Sequence, residues 1–140
     1  GSPAAIERAD KGKGFFETPD YRLHDLTRRR WPYDDASFDA AVDVCSLQCL
    51  VDWGEYNTAL SELHRVLKPG AWFFTMQATS HHSFRPGEPA MRLMPTEDVM
   101  RDGLATVGFG NFTIGFSHVR LGDGWVAEHW VCECQKVARP

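Results

Sequence analysis

Nothing in these 140 residues approaches the ~18 consecutive apolar residues of a membrane span, and no charged-then-apolar leader opens the chain. Basic charge is scarce. Fifteen Lys and Arg stand against 19 Asp and Glu, for a net charge of −4, which excludes a long-range pull toward nucleic acid or anionic membranes. The one basic run, Arg28-Arg29-Arg30, falls in a turn-rich stretch and reads as solvated loop. Cysteine is limited to Cys45, Cys49, Cys132 and Cys134, at spacings that fit neither a zinc ribbon nor a redox pair. Reduced thiols in a cytoplasmic compartment are therefore expected, with no metal site. Internal repeats and low-complexity tracts are also missing. So is a glycine-rich phosphate turn: Gly12-Lys13-Gly14 has no hydrophobic strand in front of it.

What is present suits one modest core. An apolar share of 43% with five Trp belongs to a globular chain rather than a disordered one. Gly1-Ser2-Pro3 reads as a tag remnant, and the polar stretch to residue 20 as a frayed helix and loop. Residues 21–140 read as a single domain.

Tyr21–Leu26 is a short strand candidate, and Arg28–Ser37 is rich in turn formers. Phe38–Val44, apolar apart from two Asp, reads as a strand covered on both faces. Asp52, with Glu55 three residues on, marks a helix start. Trp53, Tyr56, Ala59, Leu60, Leu63, Val66 and Leu67 then paint one apolar face, with Gly70 as the expected stop. Ala71–Met76 is the next buried strand, and the helix between makes the two strands a parallel crossover pair. After a long connection over Gln77–Met94, Thr96 caps a second helix that stops at Gly108. From Asn111 the period becomes two, and Gly122-Asp123-Gly124 turns a hairpin into Trp125–Val137.

The stretch from His24 to Met76, "HDL…WPYDDASFDAAVDVCSLQCLVDW…ALSELHRVLKPGAWFFTM", resembles the second half of a class I S-adenosylmethionine-dependent methyltransferase of small-molecule type. The carriers are a Pro-aromatic-x-Asp-x-Ser-Phe-Asp strand and a helix ending Arg-Val-Leu-Lys-Pro-Gly before a further strand. The resemblance implies an α/β, Rossmann-like sheet of parallel strands with crossover helices and a C-terminal antiparallel hairpin. In that family the third, second and first strands lie on one side and the fourth, fifth, seventh and sixth on the other.

The same resemblance implies roles. Asp25 matches the acceptor for the adenine amino group, and Leu26 its apolar neighbour. Val44, Cys45 and Ser46 match the stretch bordering the methionine part of S-adenosylmethionine. Gln48 is placed to orient a small-molecule substrate, and His81 and His82 are candidate bases after the next strand. For each there is a plainer expectation: Asp25 capping a turn, Cys45 as a small buried hydrophobe, the histidines facing solvent.

The family's glycine-rich cofactor loop is not matched, so the resemblance begins between its second and third strands. That leaves Phe38–Val44 with a bare edge. The edge is expected to be covered by Tyr21–Leu26 or by a second chain, as in a homodimer. Two functions follow: part of a methyltransferase whose cofactor loop lies elsewhere, or a methyltransferase-like interaction domain.

Overall fold

The computed structural model describes residues 22–79, 82, 93–120, 122 and 124–137. Its sheet has four strands: β1 (Phe38–Val44), β2 (Leu67–Ala78), β3 (Phe109–Arg120) and β4 (Val126–Lys136), in the spatial order β1-β2-β4-β3. This is the order expected of the family's fourth, fifth, seventh and sixth strands. β1 and β2 run parallel, from Ala40 opposite Trp72 to Val44 opposite Met76. Helix α1 (Trp53–Val66) makes the crossover between them, and helix α2 (Glu97–Val107) leads into the antiparallel hairpin of β3 and β4.

The capping residues act as read. The Asp52 carboxylate accepts the Glu55 amide at 2.9 Å, and Glu55 reaches back to the Val51 amide at 2.8 Å. Tyr56, Ala59, Leu60, Leu63 and Val66 of α1 are buried, as are Met100, Leu104 and Val107 of α2. All but Val66 pack with Phe73, Phe109, Cys132 and Cys134 into one core on one face of the sheet.

Three expectations are corrected. Helix α1 ends at Val66 rather than Gly70, because Pro69 disfavours helical geometry at Lys68 and Leu67 is already extended. Gly70, at φ 78°, sits instead inside β2, where a register irregularity between Phe38 and Ala40 takes up the extra residues. Arg22–Asp25 form no strand: the Asp25 carboxylate takes the Thr27 amide at 3.0 Å and the Thr27 hydroxyl at 2.8 Å, folding the backbone into a local turn. Finally, β1 is covered on one face only. Val42 is 70% and Val44 53% exposed on the other, and among the described residues no strand pairs with its outer edge. Among the same residues no helix is long and apolar enough to cross a membrane.

Candidate functional site

β1 and β2 end side by side, and a buried polar network shapes the turn that leaves β1. Asp43 is buried. One of its oxygens accepts the Ser46 amide at 3.0 Å and the Leu47 amide at 3.2 Å; the other accepts the Thr75 hydroxyl at 2.8 Å. Burial raises the Asp43 pKa, outweighing these hydrogen bonds, each of which lowers it. The clasp bends the chain through Cys45, which holds a left-handed φ of 59° and donates its amide to Met76 O at 2.8 Å. A non-glycine residue in that region is uncommon, and such strain gathers where a site must be shaped.

The network continues inward. The Gln77 amide donates to the Thr75 hydroxyl at 3.1 Å and to the Tyr56 hydroxyl at 2.9 Å. Burial pushes the Tyr56 pKa up to about 12. Gln48 is fully buried, and its side-chain oxygen accepts the Ala78 amide. The carboxyl ends of the parallel pair are thereby pinned to one another.

Above this turn lies a cleft of about 870 Å³ lined by Asp25, Leu26, Trp31, Tyr33, Ser46 and Cys49, among others. Its volume falls in the range of small-molecule sites. Asp25 is exposed at the rim, and the Thr27 hydroxyl and amide, with Arg28, hold its pKa below the usual carboxylate value. The Arg65 guanidinium fixes the far wall. It donates to Glu62 at 2.8 Å, to Trp31 O at 3.1 Å, to Tyr33 O at 3.0 Å and to Asp35 at 2.6 Å. Glu62 in turn accepts the Trp31 amide at 2.8 Å.

Of the residues singled out in the sequence, Asp25, Leu26 and Ser46 meet in this cleft. Cys45 forms the strained turn beneath it, and Val44 lies on the open face of the sheet. Gln48 points into the core as a structural tie. His82 stands after β2, with its Nδ1 3.2 Å from the Glu128 amide nitrogen and its ring 4.7 Å from that of His129. His81 lies outside the described residues. Trp31, Tyr33, Cys49 and Asp43 were not anticipated. The Trp-Pro-Tyr run carried a signal for two of them, since aromatic side chains in a turn invite a flat ligand. Among the described residues no group of three His, Cys, Asp or Glu is arranged to hold a metal ion.

The cleft fits an adenosyl group by its donor set. Asp25 uses only part of its acceptor capacity on the turn, leaving room for an exocyclic amine, while Leu26, Trp31 and Tyr33 supply apolar cover.

Comparison with known proteins agrees with the fold. A Methanosarcina mazei S-adenosylmethionine-dependent methyltransferase is similar at 20% identity and TM-score 0.72, over 99% of this chain and 80% of that one. A solved complex between the Haloferax volcanii Trm112 methyltransferase activator and a methyltransferase gives 14% identity and TM-score 0.73, over 99% and 70%. Burkholderia thailandensis 1,6-didemethyltoxoflavin-N1-methyltransferase, solved with 1,6-didemethyltoxoflavin and S-adenosylhomocysteine, gives 19% and 0.56, over 81% and 48%. The chain thus spans about half the length of the Burkholderia enzyme. No curated protein matches the chain. The profile of the methyltransferase domain family matches residues 1–75, more than half of the length. The chain belongs to the methyltransferase domain family.

Proposed function

We propose that the chain serves a methyltransferase that uses S-adenosylmethionine and acts on a small molecule, with the cleft beside β1 receiving the adenosyl end of the cofactor. The observation that carries this reading is the meeting of Asp25 and Leu26 in one cleft with Ser46, the residue just past the strained turn at Cys45. When bound, the cofactor supplies a methyl group already activated by its sulfonium. Asp25 accepts the adenine amine, Leu26 and Trp31 cover the base, and the turn from Val44 to Ser46 borders the methionine end. The protein's work is alignment, which alone contributes much of the barrier lowering in such transfers. The Burkholderia enzyme, with its small-molecule acceptor and S-adenosylhomocysteine, supports the same assignment here. The four free cysteines suit a reducing cytoplasm.

Calorimetric titration with S-adenosylhomocysteine tests the reading. One-to-one binding with a micromolar Kd is expected, and no measurable heat at millimolar ligand would refute it.

The bare edge of β1 favours a second reading, a methyltransferase-like interaction domain that self-associates. Val42, Val44 and Trp72 present an exposed apolar row beside that edge. Sedimentation equilibrium should then show a dimer that Val42→Lys dissociates. A monomer at high micromolar concentration would remove this reading.

A further inference from the structure

At the end of the sheet that holds the cleft, the β3–β4 hairpin outruns β2. β2 closes at Ala78 opposite His129, whereas the hairpin continues through His118 opposite Glu128 and on to Arg120 opposite Val126. The Glu128 side chain is only 12% exposed. One of its oxygens accepts the Thr79 hydroxyl at 2.6 Å, and the other lies 2.8 Å from His118 Nδ1. A carboxylate can only accept, so the neutral imidazole carries its proton on Nδ1 and keeps the Nε2 lone pair. That ring is 44% exposed.

His82 Nδ1 lies 3.2 Å from the Glu128 amide nitrogen and 3.3 Å from the Glu128 carbonyl oxygen, a backbone contact that fits either tautomer. Of the two imidazoles, His118 is the one whose tautomer a carboxylate fixes.

Two residues before His118, on the same face of β3, Phe116 is 63% exposed. Its ring stands edge-on to Trp130 at 5.9 Å, and Trp130 is fixed by its indole N–H donating to Pro95 O at 3.0 Å. An exposed aromatic platform thus adjoins an oriented imidazole. The two outer strands of the sheet are three strand spacings apart, ~14 Å, so a molecule lying between cleft and imidazole rests above β2 and β4.

We propose that His118 is the catalytic base of the transfer, held by Glu128 and Thr79 as positioning residues, and that the methyl acceptor is a flat phenol lying against Phe116. This rests on the methyltransferase reading and names its acceptor class. The phenol oxygen forms the new bond to the methyl carbon, and the carbon–sulfur bond breaks with its electron pair left on sulfur. The phenolic proton moves to Nε2 of His118. A carboxylic acid arrives already ionised and an aliphatic alcohol is too weak an acid for an imidazole; a phenol, with a pKa of ~10, lies between.

The test uses the full chain, radiolabelled S-adenosylmethionine, and phenol, catechol and para-nitrophenol as acceptors, with His118→Gln, His118→Asn and Glu128→Gln as variants. Transfer to at least one phenol is expected. Both His118 variants should lower kcat roughly 10²–10⁴-fold, with KM and S-adenosylhomocysteine binding unchanged. Glu128→Gln should lower kcat less, and nitrogen NMR should show the His118 proton on Nδ1 in the wild type and shared between both nitrogens in that variant. Undiminished kcat in the His118 variants, a wild-type proton on Nε2, or a chain that binds S-adenosylhomocysteine yet methylates none of the three phenols would overturn the inference. A chain that does not bind S-adenosylhomocysteine overturns the functional reading first, and this inference with it.

Discussion

Asp43 is one of two aspartates on an otherwise apolar strand, yet it organises the turn below the cleft. Burial raises its pKa above the ordinary 3.8, so folding favours the neutral form more than the unfolded chain does. The stability this lends is fully present below 3.8 and is lost as pH rises through the raised folded value. Asp43→Asn removes that titration while keeping an acceptor for Ser46 and Leu47. Melting temperatures should therefore shift in favour of the variant as pH increases from about 4 to about 7; a constant difference would contradict the assignment. Glu62 has the opposite sign. Hydrogen bonding from Arg65 lowers its pKa from 4.5, so its contribution is present above 4.5 and is lost as pH falls through the lower folded value. Asp25→Ala, at an exposed position, should weaken S-adenosylhomocysteine about tenfold, about 1.4 kcal/mol, with a melting temperature close to the wild type's. The resemblance singled out Asp25 and Leu26 together, and both line the cleft. Asp43 was not singled out, because its partner Thr75 lies 32 residues away and no local pattern announces that contact.

Helices α1 and α2 were legible because their signals are local. Asp52 and Glu55 mark the start of one, Thr96 and Gly108 the ends of the other, and three- and four-residue spacing identifies the buried faces. The strand over Leu67–Gly70 was not, since Pro69 and Gly70 read equally well as a stop and as a bulge within a strand. Gly108 illustrates how tightly one element end is specified. Its φ is 106°, and a Cβ there would lie 2.7 Å from His64 Nε2. Gly108→Ala should cost ~1–3 kcal/mol, measured by urea denaturation; an unchanged midpoint would refute the packing described. Arg65 ties α1 to the loop through three partners, Trp31, Tyr33 and Asp35, and is braced by Glu62 on its own helix. Arg65→Lys keeps the charge but loses the planar fork, and should cost ~1–3 kcal/mol along with affinity for S-adenosylhomocysteine, read by denaturation and calorimetry on the same sample.

At the scale of the molecule, the parallel pair and its crossover follow from right-handed connection rules, and the hairpin from a change of period to two. The one-sided cover of β1 was hidden, because an apolar run looks alike whether one or both of its faces are buried. The cleft was half legible for a similar reason: its lining, from Asp25, Leu26, Trp31 and Tyr33 on one side and Ser46, Cys49 and Leu50 on the other, comes from segments that only the fold brings together. Amide NMR with added S-adenosylhomocysteine tests that meeting most directly. Shifts in Asp25, Leu26, Thr27, Ser46, Leu47 and the Trp31 indole, with Glu97–Val107 unmoved, are predicted. Shifts confined to α2 and the hairpin, or none at all, would contradict a cofactor cleft at the carboxyl end of β1.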